Sequence, residues 1–218
     1  MATGDKRGYA PSMFNVQLDG TDAGYFSSAE GGGAESEVVT SKIGADQMAL
    51  SFQASFDTPV AVIRPFNTYG PRQSARAVLP TIVTQLLSGA DEIRLGNLAP
   101  TRDLNFVTDT CRGMIALAEC DAAVGEEVQI ASQTEVSVGD LAARLVALIR
   151  PEARIVTDTA RLRPEASEVE RLVGNNEKIR ALTSWSPQVD LDTGLARTLA
   201  WFRLPENLAR YRAHHYAT

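Results

Sequence analysis

Long apolar runs are missing from this sequence. The longest, around Ile115–Ala118, fall far short of the roughly 20 residues that cross a bilayer. No basic segment followed by an apolar stretch opens the chain, so neither a membrane span nor a secretory signal is read from it, and the expectation is a cytoplasmic protein. Cysteine is nearly missing: two residues in 218 cannot build a disulfide framework. Cys111 and Cys120 fall on one expected helix, roughly 13 Å apart along its axis. They cannot bridge there without unwinding it, and read as two buried thiols. Histidine is as scarce. His214 and His215 are adjacent on the tail, where neighbouring side chains point apart, so they read as solvated or as a cloning remnant and no metal site is expected. Positive charge has no excess either. Lys plus Arg is 21 against 27 Asp plus Glu, a net −6, which is poor footing for nucleic-acid binding.

What remains has an ordinary globular composition, 44% hydrophobic and 22% charged. It divides unevenly, into an irregular segment 1–39 and a regular part 40–218. The first 41 residues hold 7 of the 16 glycines, Gly31-Gly32-Gly33 among them, and carry six acids against two bases. Gly, Ser, Asp and Ala dominate Asp19–Ser36, a loop or disorder composition. From Thr40 the pattern becomes regular. Ser41–Phe56 reads as a helix with Ala45, Met48, Ala49, Phe52 and Phe56 on one face and Ile43 and Leu50 on another, so it is expected to be covered on two sides, by a sheet and by a partner chain. Val60–Ile63 reads as a short buried parallel strand ending at Pro65. Pro80 opens a helix that Gly89 stops. Strand candidates at Glu92–Leu95, Leu104–Val107 and Val128–Ala131 alternate with helices. One of these runs from an Asp109 cap to about Cys120. Another follows a Ser137 cap with Leu141, Leu145, Val146 and Ile149 inward, and two more cover Glu177–Leu182 and Leu191–Phe202. Strands alternating with helices predict an α/β class.

The most informative segment is Arg64-Pro65-Phe66-Asn67-Thr68-Tyr69-Gly70-Pro71-Arg72, placed directly after a buried strand. Ligands of α/β sheets sit beyond the carboxyl ends of strands, so polar side chains on this loop can reach one. The plain alternative is a Gly-Pro turn with solvated arginines. Around it, in order, stand Ser41-Lys42-Ile43-Gly44-Ala45-Asp46, Thr101-Arg102-Asp103, Phe106-Val107-Thr108-Asp109, Arg163-Pro164 with Ser167-Glu168-Val169, Trp185-Ser186-Pro187, Gly194-Leu195 and Trp201-Phe202. From about Thr40 to Arg203 the series resembles the C-terminal half of extended short-chain dehydrogenases/reductases acting on nucleotide sugars. Within that superfamily it is most similar to NAD-dependent 4,6-dehydratases of the UDP-N-acetylglucosamine or dTDP-glucose type.

That resemblance implies an incomplete Rossmann-type fold with a C-terminal α/β subdomain for the nucleotide sugar, a UDP- or dTDP-sugar. The implied activity is a lyase's: oxidation of the sugar at C4 by bound NAD or NADP, loss of water across C5–C6, and return of the hydride. Lys42 matches the lysine of the Tyr-x-x-x-Lys pair, which holds the nicotinamide ribose and lowers the tyrosine pKa. Pro65 and Phe66 fall on the cofactor side. Asn67 matches an asparagine that hydrogen-bonds the sugar nucleotide. Arg102 and Arg163 match arginines that hold its diphosphate, a task suited to guanidinium forks, and Arg76 is a third candidate. Glu168 matches an acid near the nucleotide ribose or forms a structural salt bridge. Asp103 reads as a buried acceptor rather than a catalyst.

The departures are as specific. The matching tyrosine position is Val38, which has no titratable group. No strand–Gly-x-Gly-x-x-Gly–helix unit precedes the lysine helix, and Gly31-Gly32-Gly33 lies outside such a context. Ser36-Glu37-Val38 echoes a strand end of the family. The expectation is therefore a truncated or rearranged family member that neither binds NAD tightly nor turns over alone. Two other readings stay open: a non-catalytic chain that binds a nucleotide sugar or pairs with another subunit, and a gene fragment without independent function. Self-association, as a dimer or larger, is expected through the lysine helix and the unpaired edge of the Val60–Ile63 strand.

Overall fold

The computed structural model describes residues 34–162 and 169–211, with the backbone alone for 34–42. The first helix, α1, spans Ala34–Phe56. It starts before the expected boundary and takes in Ser36-Glu37-Val38 as helix rather than strand end. Residues 34, 35 and 37 are Ala, Glu and Glu, strong helix formers. Of the two apolar sides of α1, the one that carries Ile43 and Leu50 turns inward. Asp46 and Ala49 are buried, while Met48, Phe52 and Phe56 are exposed. An ion pair decides the rotation, because Arg64 draws the Asp46 carboxylate inward at 3.0 Å.

Arg64 sits on β1 (Val62–Pro65), which pairs in parallel with β6 (Glu127–Ile130), Ile63 opposite Val128. The ladder runs two residues later than the apolar run Val60–Ile63 suggests. Val60 lies buried ahead of it, its carbonyl accepting from Gly125 N–H at 2.7 Å, and Val62 N–H then donates to the Glu126 carbonyl. Two residues beyond β1 the chain pairs again: β2 (Thr68–Tyr69) runs parallel to β5 (Asn105–Phe106). A third parallel pair joins β3 (Glu92–Leu95) to β8 (Arg154–Thr157). The last sheet is mixed. Its centre is β4 (Thr101–Asp103), with β7 (Glu135–Ser137) antiparallel on one side and β9 (Arg171–Leu172) parallel on the other.

Helices α2 (Val78–Leu87), α4 (Val138–Ile149) and α6 (Leu191–Phe202) pack around the larger core, where Tyr69, Leu79, Ile82, Phe106, Leu141 and Phe202 meet. Pro80 lies in the first turn of α2, and Gly89, at φ +82°, follows its end. The Ser137 hydroxyl caps α4 by accepting from Asp140 N–H at 2.9 Å. A smaller core of Ile63, Leu117, Val128, Ile130, Ile179 and Trp185 lies under α3 (Val107–Ala118) and α5 (Glu177–Leu182). A short α7 (Pro205–Leu208) ends the described fold.

Two expectations are corrected here. Asp109 lies inside the first turn of α3 instead of capping it. Its carboxylate accepts the amides of Gln188 and Val189, each at 2.9 Å, and its carbonyl accepts Trp185 Nε1–H at 2.9 Å. Those bonds fix the Trp185-Ser186-Pro187 turn and draw Asp109 away from capping. The two cysteines are not both buried. Cys111 is exposed, and half-buried Cys120 lies past the end of α3, where its thiol donates to the Leu182 carbonyl at 3.3 Å. No helix among the described residues is long and apolar enough to cross a membrane.

Candidate functional site

The site is built where β1 ends. Pro65 and Phe66 are buried, and the Phe66 ring packs with Ala131 and Leu172. Gly174 leaves space for that ring, since a Cβ there would meet it at 2.7 Å. Asn67 follows, half-buried. The two carbonyls flanking its Cα are both held: Thr68 Oγ1 donates to Phe66 O at 3.1 Å, and Asn105 N–H donates to Asn67 O at 3.0 Å. Its side-chain Nδ2, by contrast, is buried with no hydrogen-bond partner among the described residues, and so is the Oδ1 of Asn105. A buried donor of this kind calls for an acceptor.

Tyr69 comes next, buried, with its hydroxyl donating to the Leu191 carbonyl at 3.4 Å. Burial raises its pKa far above the usual phenol range, helped by the nearby Asp190, Asp109 and Asp192. It stays protonated at neutral pH and cannot stand in for a tyrosine at position 38.

On β4, successive side chains face opposite sides. Arg102 lies in register with Val136 and Leu172, both buried, and its Nη1 donates to the carbonyls of Thr101 and Val169 at 2.8 and 2.7 Å. Asp103 is fully buried and accepts from Ser132 N–H, Ser132 Oγ–H, Gln133 N–H and Gly174 N–H. Burial raises its pKa and these donors lower it, with burial the larger effect. Every contact is that of a structural acceptor, as the sequence suggested. The bond from Asn105 to Asn67 joins this β4–β5 segment to the end of β1, so Asn67 and the Arg102 segment adjoin.

Lys42 lies in α1, one turn after Val38 and one turn before Asp46. Asp46 is clamped by Arg64, which also bonds Glu127 on β6 at 3.0 Å. This Arg64 bridge, inside the motif but unassigned from the sequence, docks the lysine helix against β1. Arg76 is exposed ahead of α2. Arg163, Glu168, His214 and His215 lie outside the described residues. Three further residues escaped the sequence reading: Thr68, Asn105 and Thr110, which form one hydrogen-bonded chain beside Asn67. Thr68 stood in the recognised motif; Asn105 and Thr110 had only their place between Asp103 and α3 to mark them.

An open cleft of about 400 Å³ lies elsewhere, between Glu135, Asp140, Arg144, Asp190 and Asp192. It contains none of the expected site residues. Asp192 pairs with Arg144, and Asp190 caps α6. Among the described residues no cluster of three or more metal-ligating side chains occurs.

The described residues do not fit a dinucleotide. Its pyrophosphate needs free backbone amides at a glycine-rich helix start after a parallel strand. Helix α3 does follow a parallel strand, but with Phe106 at its cap position; in α4 the amides of Val138, Gly139 and Asp140 are bonded by Pro100 O, Leu98 O and Ser137 Oγ, and in α6 the Thr193 amide is bonded by Asp190.

Residues 39–198 match the sequence profile of the GDP-mannose 4,6 dehydratase family. A dTDP-glucose 4,6-dehydratase of Actinoplanes sp. is 34% identical over 169 residues, 77% of this chain and 51% of the relative. A UDP-N-acetyl-alpha-D-glucosaminuronate decarboxylase of Bacillus cytotoxicus is 29% identical over 68% of this chain and 48% of the relative. Among solved structures, a dTDP-glucose 4,6-dehydratase of Bacillus anthracis in complex with NAD superposes with a TM-score of 0.66 at 28% identity. That match covers 77% of this chain and 52% of the other. The chain thus spans about half the length of the relatives it matches. With the ordered motifs, the α/β architecture and these matches in agreement, the chain belongs to the GDP-mannose 4,6 dehydratase family of NAD-dependent nucleotide-sugar epimerases and dehydratases.

Proposed function

We propose that this chain binds the nucleotide-sugar substrate of a 4,6-dehydratase-type reaction, a UDP- or dTDP-sugar, and does not by itself carry out the hydride chemistry. The observation that carries this reading is Asn67, whose buried Nδ2 has no partner among the described residues while the backbone on both sides of it is held. Arg102 adds a guanidinium on the adjoining strand, with Arg163, Arg76 and Glu168 as further ligand candidates from the sequence. No catalytic step is assigned. NAD or NADP is the cofactor of the family, but the described residues lack its pyrophosphate cradle, and Val38 stands where the acid/base tyrosine belongs. Lys42 matches the remaining member of that pair, whose role in the family is to serve the tyrosine and the nicotinamide ribose.

A second reading has its own support. Among the described residues β1 hydrogen-bonds a neighbour on one side only. Pairing with a subunit that carries a dinucleotide-binding half would cover it and restore the chemistry.

Calorimetric titration tests the first reading, with dTDP-glucose, UDP-N-acetylglucosamine and NAD added separately. A nucleotide sugar is expected to bind and NAD is not. Arg102→Ala is expected to weaken sugar-nucleotide binding by about 1.5–3 kcal/mol, the scale of hydrogen bonds to charged groups. Failure of both nucleotide sugars to bind overturns the reading. Formation of a 4-keto-6-deoxy sugar by a sample free of host dehydratase overturns the absence of chemistry.

A further inference from the structure

We propose that Thr68, Asn105 and Thr110 are positioning residues that hold Asn67 in place for the nucleotide sugar, a proposal that rests on the reading of Asn67 given above. Three hydrogen bonds run in one line. Asn105 Nδ2 donates to Thr110 Oγ1 at 2.8 Å, Thr110 Oγ1 lies 3.0 Å from Thr68 Oγ1, and Thr68 Oγ1 donates to the Phe66 carbonyl at 3.1 Å. A hydroxyl has one proton to give. Thr68 spends its own on Phe66, so the proton between the two threonines comes from Thr110, whose oxygen is in turn filled by Asn105. The direction of the whole line is thereby set. Asn105 and Thr110 are buried, at 1% and 4% exposure, so water does not compete for these bonds.

The line ends on the peptide before Asn67, and the backbone of Asn105 holds the peptide after it at 3.0 Å. One residue thus fixes Asn67 from both sides, by its amide side chain through two hydroxyls and by its main chain directly. Fixing both peptides fixes the φ and ψ of Asn67 and the departure of its side chain. That side chain ends in the orphan Nδ2 donor. A donor held still without an acceptor bonded to it among the described residues is pre-organised for an external one, and pre-organisation is where binding sites gain affinity.

The test is a double-mutant cycle read by calorimetry with dTDP-glucose and UDP-N-acetylglucosamine, well below the melting temperature of every variant. Thr110→Val keeps the shape and removes the hydroxyl at the centre of the line. It is expected to raise Kd about tenfold, a coupling typical of residues in one hydrogen-bond network. Thr110→Ser, which keeps the hydroxyl, is expected to restore binding to within about twofold of the unmodified chain on the same scale. In an Asn67→Ala background Thr110→Val is expected to change nothing further, since its effect passes through Asn67. Equal weakening with and without Asn67, or a lowered melting temperature with Kd unchanged, overturns the positioning role while leaving the binding role of Asn67 standing. Should Thr110→Val not fold, Thr68→Val at the half-buried end of the line decides the cycle in the same way. Absence of nucleotide-sugar binding by the unmodified chain overturns the reading of Asn67 and this proposal together.

Discussion

Four donors converge on the carboxylate of Asp103, from Ser132, Gln133 and Gly174, and Asp103 has no hydrogen to return. Asparagine has nearly the same shape but replaces one oxygen by an NH2 group. In either orientation that group faces N–H or O–H donors, so Asp103→Asn leaves buried donors without acceptors. The expected loss is about 1–3 kcal/mol of folding free energy, read from urea denaturation. Stability equal to that of the unmodified chain would show that the site relaxes around the amide. A second residue makes a steric argument. Gly194 in α6 sits against the Tyr69 hydroxyl, and a Cβ at 194 would overlap that oxygen and lie 2.7 Å from Cζ. Gly194→Ala is expected to cost about 1–3 kcal/mol by overpacking, a melting-temperature drop that Tyr69→Phe partly relieves by removing the oxygen. Asp103 was legible in the sequence as a buried acceptor through its place in the Thr101-Arg102-Asp103 motif. Gly194 was legible only as part of a motif, since the neighbour it accommodates lies 125 positions earlier in the chain.

Helices were the legible elements, and the reason is length. The faces of α2, α4 and α6 repeat over ten or more residues, enough for a 3.6-residue period to show. Strands β4, β7 and β9 have two or three residues each, too few to display alternation. What holds them is side-chain chemistry across the sheet. Glu135 on β7 accepts Thr101 Oγ1–H from β4 at 2.6 Å and a two-pronged bond from the Arg171 guanidinium on β9. The Arg171 hydrogen bonds, then that of Thr101, hold the Glu135 carboxyl below the usual carboxylate range. The sign follows from linkage. A folded-state pKa lower than the unfolded one contributes stability that is present above the unfolded value and is lost as pH falls through the folded one. Glu135→Gln is therefore expected to lower the melting temperature at neutral pH and to converge with the unmodified chain as the pH falls below the ordinary carboxylate range. A difference that stays constant across that range would assign the effect to shape instead of charge. The rotation of α1 was illegible for a related reason. Its apolar positions lie on two sides, and the Arg64–Asp46 ion pair, which no periodicity records, selects which of them turns inward.

At the scale of the whole molecule, the order of motifs made the family and the α/β class legible, because each motif follows its own element. The surface expected to carry self-association was less so. The sequence pointed to the open edge of β1 and to the lysine helix together. Along β1, Val62 and Phe66 send their N–H groups to β6, so Ile63 and Pro65 face the opposite edge. Proline has no N–H, which leaves Ile63 as the one strand donor there, a blunted edge for pairing. Helix α1 offers far more. Met48, Phe52 and Phe56 recur one turn apart and are 57%, 46% and 72% exposed, with the two rings 5.5 Å apart. A contiguous apolar stripe of this kind marks an interaction surface. The chain is expected to self-associate through α1, giving a light-scattering mass above that of one chain that rises with concentration. Phe52→Glu combined with Phe56→Glu is expected to return the mass to a single chain with the circular dichroism spectrum unchanged, because neither ring lies in a core cluster. A single-chain mass for the unmodified protein at high concentration would remove the association altogether. A multimer that survives both glutamates would move the contact from α1 back to the edge of β1.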